Sequence, residues 1–274
     1  MINYSVLMSV YRDANPVHFA EALESMVTQT VVTDDFVIVC DGPLTPELDA
    51  VLENYLQQYP SIFQIIRLET NVGIGQAANI GLQKCKNDLV AKMDADDISV
   101  PNRCEMQIKR FMACPRLAVL GGYIEEFDQD PQHPIAVRSV PLSNEDIRNF
   151  ARRRQPFNNM TVMYRREAVA KVGGYQALRR SEDFDLYTRL LHADCYCENL
   201  DQVLVWARVD KDAFARRGSL DTLKGCALSR WRAHKLGCAS ILDVCVCVGG
   251  ELIILVSPPK VRKLIYQRFL RKQK

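Results

Sequence analysis

Three carboxylates fall within four residues at Asp94-Ala95-Asp96-Asp97, directly after the apolar run Leu89–Met93. Carboxylates this close repel one another unless a cation or solvent intervenes. Mg2+ and Mn2+ prefer oxygen ligands, often one or two carboxylates completed by phosphate oxygens and water, so the turn suits a divalent cation beside a phosphate-bearing substrate. It equally suits an acidic helix start before Pro101, since negative charge is favoured at helix N-termini. A second acidic group, Ser181-Glu182-Asp183-Phe184-Asp185-Leu186, stands at another helix start. Glu182 and Asp183 fall on different faces there, so one can meet a substrate while its neighbour binds the scaffold. A capped amphipathic helix burying Phe184, Leu186 and Leu190 accounts for the same residues.

Other groups carry less. Asn71-Val72-Gly73-Ile74-Gly75 is not a dinucleotide fingerprint, because position 78 is Ala and the run follows the third strand-like segment rather than the first. It is a Gly-rich turn near a sugar or phosphate, or a purely structural turn. Arg152-Arg153-Arg154 and Arg216-Arg217 could grip phosphate oxygens or could simply be solvated. The four histidines show no catalytic spacing, and the ten cysteines contain no C-x-x-C pair of zinc-like spacing. Reduced thiols in a cytosolic protein are expected, with no signal peptide ahead of the strand-like run that begins at Ile2.

The segments that must position these residues alternate. Tyr4–Val10, Phe36–Cys40, Phe63–Leu68 and Leu89–Met93 read as buried strands. Val17–Val27, a helix from Thr45-Pro46-Glu47 and Gly75–Lys84 read as the helices between them. An α/β fold follows, with a mainly parallel central sheet flanked by helices and ligands gathered beyond the carboxyl ends of its strands. After about residue 120 the alternation weakens. Val119–Phe127, Met160–Tyr164 and Val203–Ala207 read as strands, and Pro101–Ala113 and Glu182–Leu191 as helices.

At 274 residues, with 48% hydrophobic and 25% charged, the chain has ample material for a core and is neither collagen-like nor disordered. Thirty-five basic against 33 acidic residues give +2, too balanced to argue for a nucleic-acid binder. The balance conceals an asymmetry, −9 over residues 1–100 and +11 over residues 101–274. An acidic first part could hold a cation; the basic remainder could meet phosphates or an anionic membrane.

The ordered set of motifs resembles the family 2 glycosyltransferases, especially bacterial enzymes that build capsules, exopolysaccharides and O-antigens. The resembling residues are Ser5–Tyr11, Ala22–Ser25 with Gln29-Thr30, Asp41-Gly42, Asn71–Gly75, Asn79-Ile80-Gly81, Asp94–Asp97 with Pro101-Asn102-Arg103, Gly173-Gly174-Tyr175 and Glu182-Asp183. They cover roughly residues 2–210. The resemblance implies the glycosyltransferase A fold and inversion at the anomeric carbon of a nucleotide-sugar donor. It implies that Ser9 and Tyr11 line the nucleotide pocket, that Asp41 contacts the base, and that Asp94 and Asp96 are the D-x-D pair. Asp94 would then meet the nucleoside, Asp96 would bind Mg2+ or Mn2+, and Asp183 would be the general base. A lipid-linked oligosaccharide is the acceptor so implied. The residue types suit the chemistry: a cation steadies a diphosphate leaving group, and a carboxylate on the other face takes the acceptor hydroxyl proton.

Three positions depart from the family pattern. Cys40 stands where relatives often carry an acidic residue, Asn159 where close relatives often carry His, and Ala227 where the Q-x-x-R-W of processive synthases, matched here by Arg230-Trp231, requires Gln. Single-sugar transfer is therefore expected, against the alternatives of a nucleotidyltransferase or a noncatalytic nucleotide- or sugar-binding relative. The expected division is a catalytic domain at residues 1–210 and a helical extension at 211–274. Ala239–Val256 is apolar but interrupted by Asp243, Gly249-Gly250 and Glu251, which disfavours a spanning helix. Lys260–Lys274 has seven basic and no acidic residues interleaved with Leu264, Ile265, Phe269 and Leu270. It reads as an interfacial amphipathic helix holding the enzyme at the cytoplasmic face of the inner membrane, or as a solvated tail behind a packed helix pair.

Overall fold

In the computed structural model the first apolar runs become β1 (Tyr4–Val10), β2 (Asp35–Cys40), β3 (Phe63–Arg67) and β4 (Leu89–Asp94). Between them lie α1 (Pro16–Val27), α2 (Pro46–Gln58) and α3 (Ile74–Leu82). The structure describes residues 2–178, 180–209 and 219–258. The Asn15 side chain accepts from the amides of Val17 and His18 to start α1, and Thr45 does the same for Leu48 in α2. A proline at the first position of each helix loses no hydrogen bond there.

The four strands pair in parallel in the order β3-β2-β1-β4. Alternate residues of β1 serve opposite layers: Val6, Met8 and Val10 join one apolar cluster and Leu7 the other. The helices that cover both faces explain why these strands are apolar throughout. A Cβ at Gly81 would fall 2.4 Å from Leu7 Cδ1, so only glycine lets α3 lie this close to the sheet.

The second half contains β5 (Ile98–Ser99), α4 (Arg103–Ala113), β6 (Leu117–Phe127), β7 (Ala136–Arg138), α5 (Asn144–Ala151), β8 (Met163–Arg165), α6 (Arg166–Lys171), α7 (Glu182–His192) and β9 (Tyr196–Arg208). Among the described residues the strands form one nine-stranded sheet in the order β3-β2-β1-β4-β8-β6-β9-β5, with β7 beside β6. The sheet turns mixed at β8, which is antiparallel to both β4 and β6, while β6 and β9 are parallel. The expected strand at Met160–Tyr164 is displaced: Asn159–Thr161 forms a 3-10 turn, and only Met163–Arg165 pairs. β9 begins seven residues before Val203, because Glu198, Asn199, Asp201 and Gln202 broke the apolar pattern without breaking the ladder.

Among the described residues two further helices follow, α8 (Leu220–Lys235) and α9 (Ile241–Val256). Ala233 and Ala239 bury against Phe184 of α7, and Arg232 reaches Asp185 at 3.4 Å. Asp243 is 1% exposed and accepts from Arg152 at 3.1 Å, from Arg153, and from the Ser240 amide at 2.9 Å. All ten cysteines are free thiols. The tail Lys260–Lys274 and the pair Arg216-Arg217 lie outside the described residues.

Candidate active site

The carboxyl ends of β1, β2 and β4 open on one side of the sheet. Register places Ser9 beside both Val39 and Asp94, so the residues singled out at three strand ends are neighbours. Ser9 Oγ is buried and has no hydrogen-bond partner. Beyond the ends of β1 and β2 a cavity of about 400 Å³ is lined by Tyr11, Asp41, Gly42 and Asn71 among others, and Ser9 is not part of its wall. Tyr11 is exposed at its edge. Asp41 is buried, and its two carboxylate oxygens accept from the amides of Val72 at 2.7 Å and Gly73 at 3.1 Å. The sequence did not reveal this bond to the scaffold, although each oxygen keeps a second lone pair for a ligand.

β4 delivers the acidic turn. Asp94 Oδ1 accepts from Lys92 Nζ at 2.8 Å, and Lys92 is itself 1% exposed. Beneath them the fully buried Arg103 donates from Nη2 to the Lys92 carbonyl at 2.7 Å and from Nε to Gln107 at 3.1 Å. Asp97 is buried and accepts from the Arg208 amide at 2.8 Å; burial, then the charges of Asp96 and Asp94, push its pKa well up. Asp96 keeps an open face to solvent, yet desolvation within the turn and the charge of Asp94 raise its pKa too.

The second acidic group is positioned from α3. Asn79 accepts from the Tyr175 amide at 2.7 Å and donates to the Tyr175 carbonyl at 2.6 Å. Gly174, at φ 65°, is required there, since a Cβ would meet Asn79 Oδ1 at 2.5 Å. Ser181 then takes a left-handed φ of 64°, and α7 starts with Glu182. A Cβ on Gly75 would lie 3.3 Å from Glu182 Cβ, so the Gly-rich turn abuts the acidic pair. Burial, then the charge of Asp183, pushes the Glu182 pKa up to about 7. Asp183 is also raised by burial and by Asp94, while Gln155 Nε2 at 2.6 Å and the Phe184 amide at 2.7 Å pull the other way.

The charge of Asp94 acts on both Glu182 and Asp183, and Lys92 on Glu182. The two acidic groups, 85 or more residues apart in sequence, are therefore close enough in space to feel one another's charge. Lys92 and Gln155 were missed by sequence reasoning. Lys92 left a signal, as a cation inside an apolar strand two residues from Asp94 and so on its face; Gln155 left none. Cys40 lies in the apolar core with its thiol pKa pushed up to about 11 by burial, which makes it a packing residue. Asn159 accepts from the Tyr187 hydroxyl at 2.8 Å, and the Arg230 guanidinium stacks 3.5 Å over Phe184. Arg152 and Arg153 are engaged by Asp243.

Among the described residues no cluster of three or more His, Cys, Asp or Glu side chains forms a metal cage. The donor set still fits Mg2+ or Mn2+ held by one or two carboxylates plus phosphate oxygens. Asp96 is an open carboxylate whose ionisation its neighbour Asp94 opposes and a cation would favour.

The profile described as Glycosyl transferase family 2 matches residues 5–179, which include the acidic turn and the Asn79-linked Gly173–Tyr175 turn. The chain belongs to this family. It is 34% identical to the amylovoran biosynthesis glycosyltransferase AmsE of Erwinia amylovora, over 97% of this chain and 98% of that one. It is 30% identical to the UDP-Gal:alpha-D-GlcNAc-diphosphoundecaprenol beta-1,3-galactosyltransferase of Escherichia coli, over 98% and 97%. In structure it resembles the mannosyltransferase PcManGT of Pyrobaculum calidifontis, solved with GDP-Man and Mn2+, with a TM-score of 0.67, 14% identity, and coverage of 93% and 70%. The fold is thus glycosyltransferase A, and the chain is a nucleotide-sugar-dependent glycosyltransferase of the bacterial surface-polysaccharide type. A nucleotidyltransferase is set aside.

Proposed function

We propose that this family 2 glycosyltransferase is an inverting, metal-dependent enzyme that moves one sugar from a nucleotide-sugar to a lipid-linked oligosaccharide at the cytoplasmic membrane face. The observation that carries this is the nearness of the β4 acidic turn to Glu182 and Asp183: the Gly-rich turn that holds Asp41 abuts Glu182, and the charge of Asp94 reaches both carboxylates. The cavity lined by Asp41 and by Tyr11, two residues beyond Ser9, receives the nucleoside. Asp94, held by Lys92, meets the nucleoside. Asp96 holds Mg2+ or Mn2+, which when bound supplies charge stabilisation to the departing diphosphate. Asp183 accepts the acceptor hydroxyl proton as that oxygen attacks the anomeric carbon opposite the leaving group. One displacement inverts the centre. The Mn2+ bound with GDP-Man in PcManGT supports the cation, and the diphosphoundecaprenol acceptor for which the E. coli relative is named supports the acceptor. In this reading residues 1–210 carry the catalysis and 211–274 an extension.

The test is a panel of nucleotide-sugars with the purified protein and Mn2+, scored for nucleoside diphosphate release and for product anomeric configuration. Activity should vanish with chelator and return with Mn2+, and Asp96→Asn should weaken metal-dependent donor binding. Full turnover in chelator would overturn the metal assignment, and a retained configuration would overturn the single displacement.

A further inference from the structure

Globular helices turn their apolar stripe inward and their charges outward. The helix α9 does the reverse. Its Ile241, Leu242, Val246, Leu252, Ile253 and Val256 are between 45% and 79% exposed. At 3.6 residues per turn these six side chains fall within an arc of about 140°. Cys245 and Gly249 complete that arc, so it contains no charge. The two acidic residues of the helix, Asp243 and Glu251, lie on its other side, and Asp243 is buried under Arg152 and Arg153. The charges that break the apolar run in sequence are therefore absent from the face that meets solvent.

Span is excluded by length. Sixteen residues at 1.5 Å each reach about 24 Å, short of the roughly 30 Å hydrocarbon core. No helix among the described residues is long and apolar enough to cross a membrane. A helix with one continuous apolar face and basic flanks instead lies in the interface plane.

The flanks supply the charge complementarity. Beside the first turn of α9 stand Arg152, Arg153 and Arg154, with Asp243 as the acidic member of the recess of about 400 Å³ they line. The Arg152 and Arg153 side chains remain 50% exposed while paired, and Arg154 extends over Phe150 at 4.9 Å. After the helix the sequence continues with seven basic and no acidic residues in Lys260–Lys274.

We infer that α9 is a monotopic membrane-docking element: its outward apolar face enters one leaflet of an anionic bilayer, and Arg152–Arg154 meet the lipid phosphates at its N-terminal edge. The inference rests on the proposed action at a membrane face and names the element that makes the contact.

The experiment is flotation of the full-length protein with vesicles of phosphatidylglycerol and phosphatidylethanolamine, and with vesicles of phosphatidylcholine alone. The wild type should float with the anionic vesicles, more weakly with neutral ones, and less as salt screens the arginines. Leu242→Ser combined with Ile253→Ser, both at exposed positions, should cut the partition coefficient at least about tenfold by removing inserted apolar area. Arg154→Gln should cut it about fivefold, the value of one basic residue at an anionic surface. Wild-type binding by the double variant would overturn the inference by placing all attraction elsewhere, and so would the absence of wild-type binding to any vesicle. A dimer in light scattering that the double variant dissociates, with vesicle binding unchanged, would overturn it in favour of a second copy on this face. Nucleoside diphosphate release is scored on the same samples without vesicles. Its absence with every donor would sink the transferase mechanism while leaving the flotation result standing.

Discussion

Asp183 and Asp243 are both carboxylates in the first turn of a helix, and the fold treats them in opposite ways. Asp243 is enclosed by the hydrogen bonds of Ser240 and then by Arg153 and Arg152, which hold its pKa well below the usual carboxylate range. Asp183 follows a left-handed serine that makes no side-chain cap, sits beside Glu182, faces Asp94, and has its pKa raised. Where a carboxylate only joins two helices, its charge is fully compensated by the protein. Where Asp94, Asp96 and Glu182 share the charge of one buried lysine, compensation is left short, which is the expected state of a site completed by substrate and cation.

The contrast predicts different kinds of damage. Asp183→Asn should lower sugar transfer by about 10²–10⁴-fold, the usual contribution of a general base, while calorimetry finds donor binding near wild type. An equal collapse of donor binding in a folded variant would move Asp183 from proton transfer to the nucleotide pocket.

Glu182→Gln and Asp243→Asn should separate through stability, with opposite pH dependence. The raised pKa of Glu182 means that the wild type is fully stable with respect to this group below about pH 4 and loses stability as pH climbs through about 7. Urea titrations should therefore find Glu182→Gln equal to wild type near pH 4 and more stable at pH 8, by on the order of 1–3 kcal/mol. The lowered pKa of Asp243 has the reverse sign: its contribution is present above about pH 4 and disappears as pH falls below it. Asp243→Asn should lower stability at neutral pH by weakening the bonds to Ser240, Arg153 and Arg152, and the gap should close in acid. Parallel pH profiles for the two variants would erase the distinction.

The smallest effect concerns Gln155. Its amide favours ionised Asp183, so Gln155→Leu should raise that pKa and move the acid limb of the kcat/KM profile upward by about one pH unit or less. An unmoved limb with normal turnover would assign the titration to another group.

Much of this was legible before the fold was seen, for physical reasons. Buried parallel strands must be apolar runs, and ligands collect at their carboxyl ends, so Ser9, Asp41 and Asp94 could be found from the order of residues alone. Lys92 was equally legible, because residues two apart share a strand face. Gln155 was not, since nothing local ties it to a residue 28 positions on. β5 and β7, of two and three residues, are too short to carry a period. The orientation of α9 illustrates a deeper limit. Periodicity says which residues share a face, but only packing decides which face looks at solvent, and there the ion pairs of Asp243 settled it.

The turn from Val72 to Gly75 grips Asp41 at one end through two amides and abuts Glu182 at the other. Main chain, not exchangeable side chains, thus sets the spacing between the proposed nucleoside end and the proposed acceptor end. A designer retargeting this enzyme to a new sugar has most freedom in the walls around that turn and least within it. A side chain larger than a methyl at residue 75 would press on Glu182, so a library that randomises the whole loop should return its active clones enriched in Gly and Ala at that position.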